Sequence, residues 1–368
     1  MPKRPSVSAV VLAAGMSTRM GTVKQLLPLG GTTLLENVLD NVGKAQVDEI
    51  VLVLGFSADA IRQQIPLHNV KIVVNDAYRE GMGTSLRAGI TQVSPSADAA
   101  LVMLGDQPFV KPETIDQLIR VYGEQKPQIV IPVYQGFRGN PVLLDRSVFP
   151  ELLGLAGDIG CRAIFGGHTE NILKAPVDDI GVLLDIDTKS DFEKLHQAHA
   201  RGGLGSTLLE SADLTGRDVS AGPHLVLVGQ EAVAKTLASL GRLMKFTVTV
   251  VDPFLTIDQA PGAHRVLHTL DFSRLSSPGD TYVVVASRGR FDEEAVEQAL
   301  DAGAAYVALV ANRKRADEIC RSLLGRGTDA ARLRAPAGLD IGADGPEEIA
   351  LSIMAEIIAE RRRPDRTP

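Results

Sequence analysis

The segment Leu12-Ala13-Ala14-Gly15-Met16-Ser17-Thr18-Arg19-Met20-Gly21, closed by Lys24, constrains the fold of this chain more than any other. It begins where the apolar run from Val7 to Leu12 ends. A short continuous apolar run stopped by glycine reads as a strand buried on both faces of a parallel sheet. The residues that follow are small or glycine, so the backbone can turn tightly and bring its N–H groups close to an anion. Two cations, Arg19 and Lys24, fall in the same turn. Strand, turn and cations together make a cradle for a polyphosphate. For a lone glycine-rich turn, the plainer alternative is a strand-to-helix loop with two solvated bases. The spacing A-A-G-x-S-x-R-M-G-x-x-K, continued by Leu26-Leu27-Pro28-Leu29, is longer and more specific than such a turn. It is not the P-loop pattern G-x-x-x-x-G-K-[ST], because Thr22 and Val23 separate Gly21 from Lys24.

The rest of the first half alternates strand and helix patterns. Strands are expected over Ala9–Leu12, Ile50–Leu54, Lys71–Val74, Ala100–Leu104 and Gln128–Pro132, with helices starting near Thr33, Ala58, Gly83 and Pro112. Thr33 and Glu36 have capping-box spacing before Leu34, Leu35, Val38 and Leu39. Pro112 suits a first helical turn, where its missing N–H costs nothing. The glycine-rich stretch Arg201-Gly202-Gly203-Leu204-Gly205-Ser206 reads as a linker. A second alternating pattern follows: strands at Leu225–Val228, Thr247–Val251, Tyr282–Ala286 and Tyr306–Val310, and helices at Val233–Leu243, Glu293–Ala302 and from Pro346 to about Glu360. The fold class is therefore α/β, with two doubly wound domains at residues 1–200 and 222–368 and a linker at 201–221. A chain of 368 residues fits two cores better than one.

Composition removes several function classes. No apolar run reaches the length of a membrane span. Met1-Pro2-Lys3-Arg4-Pro5-Ser6 leads into the first strand without a secretory h-region. The two cysteines, Cys161 and Cys320, are far apart and argue against a zinc site or a disulfide framework, so a cytoplasmic protein is expected. A net charge of −7, with Arg361-Arg362-Arg363 as the only basic run, is poor material for binding nucleic acid. Aromatic residues at 4%, with no tryptophan, give little to stack on bases.

Gly105-Asp106-Gln107-Pro108 follows the apolar strand ending at Leu104. Ligands of open α/β sheets bind beyond the carboxyl ends of strands, so Asp106 should face the same crevice as the first loop. A carboxylate there can hold Mg²⁺ against phosphate oxygens; the alternative is an Asp that caps the turn before Pro108. Asp185-Ile186-Asp187-Thr188 is a second acidic cluster, in which Asp185 and Asp187 share a face if the segment is extended. Asp187 is the favoured metal ligand and Asp185 its close competitor, whereas Asp191 suits the first turn of the next helix. Asn75 and the loop Gly81-Met82-Gly83-Thr84-Ser85 offer close backbone approach and neutral donors and acceptors for a base edge and ribose. A capped helix start explains Thr84 and Ser85 equally well.

These motifs resemble the nucleotidyltransferase family that activates molybdopterin, and within it the molybdenum cofactor cytidylyltransferases. The resemblance implies Mg²⁺-dependent transfer of a cytidylyl group from CTP to molybdopterin or molybdenum cofactor, with release of pyrophosphate. It assigns Arg19, Lys24 and Asp106 to catalysis and Asp106 to the metal. A second metal-side carboxylate comes from D-I-D-T-x-x-D, here residues 185 to 191. Nucleotide binding falls to Leu12, Ala13, Ala14, Gly15 and Ser17, to Gly55, and to Asn75, Gly83, Thr84 and Ser85 within G-M-G-T-S-L-R-A-G. Arg138-Gly139-Asn140-Pro141 and Gly157-Asp158-Ile159-Gly160-Cys161-Arg162 look like the family's acceptor elements, which points to Asn140 and Arg162. Family members often carry His where Asn140 stands, and Arg162 is equally well a helix-surface charge. Ala13-Ala14-Gly15 resembles the cytidylyl branch, against A-G-G in the guanylyl branch, which leaves guanylyl transfer or a different acceptor as alternatives.

Residues from about 222 to 360 resemble the Rossmann portion of the xanthine dehydrogenase accessory family, most clearly in Arg334-Ala335-Pro336-Ala337-Gly338-Leu339-Asp340-Ile341-Gly342-Ala343. That implies cofactor handling and a molybdenum hydroxylase as possible partner, and admits a non-catalytic cofactor chaperone as the competing function. The turn Gly229-Gln230-Glu231 departs from G-x-G-x-x-G, because Glu231 replaces the glycine that lets pyrophosphate approach. Asp252 ends the next strand as a ribose-binding acid would, yet without that glycine no dinucleotide is expected here. The oligomeric state stays open.

Overall fold

The computed structural model describes residues 4–17, 20–155, 157, 160–186, 192–193, 222–255, 257–272, 278–325 and 332–362. The chain divides into two compact units: Met1–Tyr134 with Arg138–Gly205, and Gln135–Phe137 with Ser206–Pro368. The expected linker at 201–221 lies outside the described residues.

The first unit is built on β1 (Val7–Ala13), whose residues are buried almost throughout. It pairs in parallel with β4 (Glu49–Leu54) on one side and β6 (Ala99–Leu104) on the other. The register sets Leu12 level with both Val53 and Leu104, so the turns leaving the three strands emerge together. β5 (Lys71–Val74) extends the parallel run beyond β4. On the β6 side, β9 (Val142–Asp145) is antiparallel to both β6 and β7 (Ile129–Tyr134). β10 (Ile172–Pro176) then pairs in parallel with β7, and the short β8 (Phe137–Arg138) also pairs with β7. A small hairpin of β2 (Pro28–Leu29) and β3 (Thr32–Thr33) precedes the first helix.

Helices α1 (Leu34–Lys44), α2 (Ala58–Gln64), α3 (Met82–Thr91), α4 (Pro112–Gln125) and α5 (Phe149–Leu153) flank this sheet. The expected capping box is present: the Thr33 hydroxyl accepts from the Glu36 N–H at 3.3 Å, and Glu36 Oε2 accepts from the Thr33 N–H at 2.7 Å. The apolar positions Leu34, Leu35, Val38 and Val42 of α1 are buried, as their spacing requires.

The second unit repeats the plan. Its sheet runs β13 (Arg265–Leu267), β12 (Thr247–Val251), β11 (His224–Val228), β14 (Thr281–Val285), β15 (Tyr306–Leu309), β16 (Leu333–Arg334), all parallel. This is the strand order 3-2-1-4-5-6 of a dinucleotide-type fold. Helices α6 (Ala232–Leu243), α7 (Asp292–Asp301), α8 (Arg313–Gly325) and α9 (Pro346–Arg361) connect or follow the strands. The apolar faces of α6 and α9 meet in the core with Leu237, Ala238, Ile353, Met354 and Ile357. Both units are thus doubly wound α/β domains, as the alternating pattern required. The sequence reading did not include the antiparallel β9, the edge strands β10, β13 and β16, or α8. These are short or, for α8, dominated by charge, and periodicity gives them little signal. Among the described residues no helix is long and apolar enough to cross a membrane.

Two stability predictions follow from this packing. Ala in a helix interior ordinarily gains about 1 kcal/mol over Gly. At Gly89 in α3, however, a Cβ would lie 2.4 Å from Val10 Cγ1 and 2.9 Å from Val53 Cγ2. Overpacking costs about 1–3 kcal/mol, so Gly89→Ala is expected to lower the urea midpoint rather than raise it. In the second unit the Thr249 hydroxyl accepts from Arg265 Nε at 2.8 Å and is 2.8 Å from His224 Nε2. Burial, with the Arg265 charge, lowers the His224 pKa from 6.5 to about 4. Between those values the unfolded chain binds a proton that the folded one does not, so stability falls as pH drops from 6.5 to about 4. The loss is at most about 3 kcal/mol. Unfolding midpoints measured across this range should decline less in His224→Gln than in the parent.

Candidate active site

The turn after β1 is pinned at several points. Met20 is 2% exposed, and its N–H donates to the Ser17 carbonyl at 2.9 Å. Ser17 itself adopts φ +51° and Gly21 φ +67°. Its hydroxyl accepts from the Lys24 N–H at 3.4 Å. Gln25, 2% exposed, donates from Nε2 to the Ala13 carbonyl at 3.1 Å and ties the return of the loop to the end of β1. Gly15 is exposed, and a Cβ there would meet nothing within 4 Å. Its backbone is open to an anion. Arg19 and Thr18 lie outside the described residues.

Glycines wall this turn on both sides. A Cβ on Gly55, after β4, would sit 2.9 Å from both the methyl and the carbonyl oxygen of Ala14. A Cβ on Gly105, after β6, would sit 2.9 Å from the Ala13 methyl and 3.0 Å from the Leu12 carbonyl oxygen. Gly105 also donates its N–H to that carbonyl at 2.9 Å. The sheet forces these approaches because the three strand ends are level. Ala14 is 5% exposed, with its methyl in the core.

Across the gap between β1 and β6, Lys24 Nζ pairs with Asp106 Oδ2 at 2.5 Å, the side chains being 12% and 17% exposed. Asp106 Oδ1 is buried and has no hydrogen-bond partner among the described residues. One carboxylate oxygen therefore holds the lysine, and the other is left to accept a donor or a cation. The Asp106 carbonyl accepts from the Ile186 N–H at 3.1 Å, which brings the second acidic segment alongside. The Asp185 carboxylate accepts from Gln107 Nε2. Asp187 lies outside the described residues. Among the described residues no three His, Cys, Asp or Glu side chains gather as a metal cage. Mg²⁺ ordinarily takes only one or two carboxylates beside phosphates and waters, and the donor set here fits that mode.

Asn75, Thr84 and Ser85 are brought together, and their side chains serve each other. Asn75 Nδ2 donates to Thr84 Oγ1 at 2.9 Å and to Ser85 Oγ at 3.0 Å, while its Oδ1 accepts from the Ala77 N–H at 3.1 Å. All three are buried. The Gly83 N–H donates to the Gly157 carbonyl at 3.0 Å, which joins this loop to the segment ending in Arg162. These groups shape the loop after β5. Asp158 is outside the described residues. Arg162 is exposed next to Cys161, whose thiol burial pushes up to about 12. Asn140 is partly exposed, and its N–H donates to the Val182 carbonyl at 2.9 Å. A Cβ on Gly139 would come within 2.5 Å of that same oxygen. The segment between β8 and β9 that carries Asn140 thus rests on the turn that leads to Asp185.

Gln25 and Gln107 were not singled out by sequence reasoning. Gln107 sits inside the string Gly105–Pro108, and Gln25 falls between Lys24 and Leu26; their amides fasten the two loops. In the second unit, Gly229 has φ +103°, and a Cβ there would be 2.6 Å from the Ala286 carbonyl oxygen. Glu231 precedes α6 and pairs with Arg288 at 3.2 Å. Asp252 is fully buried; its Oδ1 accepts from the Phe254 N–H at 2.9 Å, and burial raises its pKa.

Residues 9–172 match the MobA-like NTP transferase domain, and residues 225–357 match the XdhC Rossmann domain. The nicotine blue oxidoreductase of Paenarthrobacter nicotinovorans is 32% identical over 167 residues, covering 43% of this chain and 80% of that protein. The molybdenum cofactor cytidylyltransferase of Escherichia coli K12 is 25% identical over 190 residues, covering 51% of this chain and 94% of that protein. The crystal structure of Rv0371c from Mycobacterium tuberculosis H37Rv is 36% identical, covers 53% of this chain and 100% of its own, and has a TM-score of 0.48. The chain belongs to the MobA-like NTP transferase family, and its second half is an XdhC Rossmann domain.

Proposed function

We propose that the first unit transfers a cytidylyl group from CTP to the terminal phosphate of molybdopterin or molybdenum cofactor. The observation that carries this reading is the Lys24–Asp106 pair across the gap between β1 and β6, with one Asp106 oxygen unspent. The Escherichia coli relative named for this reaction supports the choice of acceptor. An oxygen of the acceptor phosphate attacks the α-phosphorus of CTP, one P–O bond forms, and pyrophosphate leaves with the electron pair of the bond that breaks. No protein nucleophile is needed. The chain's task is to position the two phosphates and to stabilise the charge that develops between them.

In this reading the open backbone from Ala13 to Gly15, with Ser17, receives the triphosphate, and Arg19 and Lys24 offset its charge. Entry of CTP exchanges the Lys24–Asp106 contact for lysine–phosphate contacts. Asp106, with Asp187 or Asp185, would hold Mg²⁺, which supplies charge neutralisation on the phosphates when bound. The loop of Asn75, Gly83, Thr84 and Ser85, with Gly55, forms the nucleoside wall, and its internally bonded side chains leave backbone groups to meet the base. This reading assigns Asn140 and Arg162 to the acceptor. The Ala14 methyl lies in the core near Gly55, so its influence on base size works through loop spacing rather than direct contact. The second unit would receive the product for a molybdenum hydroxylase; fusion raises its effective concentration at that unit.

With molybdenum cofactor and Mg²⁺, pyrophosphate release is expected with CTP in preference to GTP; the opposite preference moves the chain to guanylyl transfer. Reduction of a heteroaromatic substrate without pyrophosphate release would favour the chemistry named for the Paenarthrobacter relative. Lys24→Met should lower kcat by about 10²–10³, as loss of a group that stabilises transition-state charge does. Lys24→Arg should recover part of it. Full activity in Lys24→Met would refute the cradle, and comparison of melting temperatures separates lost chemistry from lost fold.

A further inference from the structure

The turn after β6 and the segment from Asp179 to Ile186 are built face to face. A Cβ on Gly181 would lie 2.2 Å from the Phe109 carbonyl oxygen, so the two backbones approach this closely only with glycine there. Asp179 fixes the start of the segment. Its Oδ2 accepts from the Lys111 N–H at 2.9 Å and the Thr114 hydroxyl at 2.7 Å, and its Oδ1 accepts from the Gly181 N–H at 3.0 Å. The far end is fixed by the Ile186 N–H, which donates to the Asp106 carbonyl at 3.1 Å. Ile186 is fully buried.

Gln107 lies between these two fastenings and is 1% exposed. Its Nε2 donates to the Asp185 carboxylate and lies 3.5 Å from the Val182 carbonyl oxygen. That carbonyl also accepts the Asn140 N–H at 2.9 Å. One amide group thus reaches both an acidic side chain assigned to the cation and the backbone on which Asn140 rests. Charge sets the orientation of the amide. Turned over, its oxygen would face the Asp185 carboxylate, whereas an N–H there makes a charge-assisted bond.

The Gln107 Oε1 is buried and accepts from no described residue, as is Asp106 Oδ1 on the preceding residue. A buried acceptor without a donor is costly. Methionine would fill similar space without burying an amide, so packing alone gives no reason for glutamine here. Its bonds to Asp185 and toward Val182 do.

We propose that Gln107 is a positioning residue for the transfer reaction, tying the Asp185 carboxylate on the cation side to the Val182 carbonyl that seats Asn140 on the acceptor side. This rests on the cytidylyl-transfer reading of the first unit and extends it: the spacing of cation and acceptor is set by one side chain. Gln107 acts through Asp185 and Val182 and contacts no reacting atom. Groups that orient a metal-binding carboxylate from outside govern metal affinity nearly as strongly as the ligands themselves.

The test compares the full-length chain with Gln107→Met, which keeps the volume and loses the amide. Thr114→Val is the comparison variant, since it loses a buried hydrogen bond at the other end of the same segment. Mn²⁺ titrated without nucleotide, and followed by electron paramagnetic resonance, reads the cation side alone. Gln107→Met should weaken Mn²⁺ binding by about 10- to 100-fold, and Thr114→Val should leave it unchanged. In steady-state transfer with excess Mg²⁺, Gln107→Met should keep the parental KM for CTP but show a raised KM for molybdenum cofactor. Gln107→Asn, whose amide is one methylene short of Asp185, should shift both readouts in the same direction and serves if Gln107→Met melts early. Parental Mn²⁺ affinity in the Gln107 variants, equal weakening in Thr114→Val, no Mn²⁺ binding by the parent, or an unchanged KM for the cofactor would each overturn the assignment. A parent that releases no pyrophosphate from CTP fails the transfer reading instead, and the Mn²⁺ comparison still supports or refutes Gln107 on the cation side.

Discussion

The candidate site depends on β1 being hydrogen-bonded in parallel on both sides, with its last residues level with the ends of β4 and β6. That register delivers three turns to one edge of the sheet: Ala14–Lys24, Gly55 and Gly105–Asp106. Shifting a strand by one residue would exchange its buried and outward faces, and burial on both faces of β1 holds the pairing in place. The Lys24–Asp106 contact is a consequence. Two charges on different turns meet at low exposure because the backbone beneath them has no latitude. Removing either would take this contact from the other at low exposure, the costly direction for a buried pair. A ligand that supplies both phosphate and metal replaces one arrangement of charges with another.

The polar groups around this edge divide their labour. Asn75, Thr84 and Ser85 spend their side chains on one another, and Gln25 and Gln107 fasten loop to loop. Bonds of this kind hold the neighbouring backbone in one geometry. Unspent capacity includes Asp106 Oδ1, the amide oxygens of Gln25 and Gln107, and the open backbone at Gly15. Preorganisation of this kind lets charge stabilisation act without moving the groups that supply it.

The second unit shows how the same sheet plan accommodates different chemistry. Its glycine turn keeps the tight approach of Gly229 to β14, which packing demands, but not the open position that pyrophosphate demands. Glu231 and Arg288 bridge the gap instead. An opening lies over β14, β15 and β16, where the Pro336–Ile341 loop contributes both backbone and apolar side chains.

Much of this molecule is written locally. The apolar runs of β1, β4, β6, β11, β12 and β14, the Thr33–Glu36 capping box and the glycines of the β1 turn are readable because each depends on residues near in sequence. So is the mismatch at Glu231, a departure from a spacing rule. The antiparallel β9, inserted between β6 and β7, was not readable, since strand order depends on contacts between segments far apart in the chain. Nor could the sequence show that Asn75, Thr84 and Ser85 would consume one another's hydrogen bonds, or that Lys24 and Asp106, 82 residues apart, would meet. Sequence alone determined the longer apolar strands, the capped helices and the residue types that stand at their ends, because periodicity and turn chemistry are short-range. Tertiary structure decided which polar atoms are spent and which remain for a ligand, because burial and partnership belong to the packed chain.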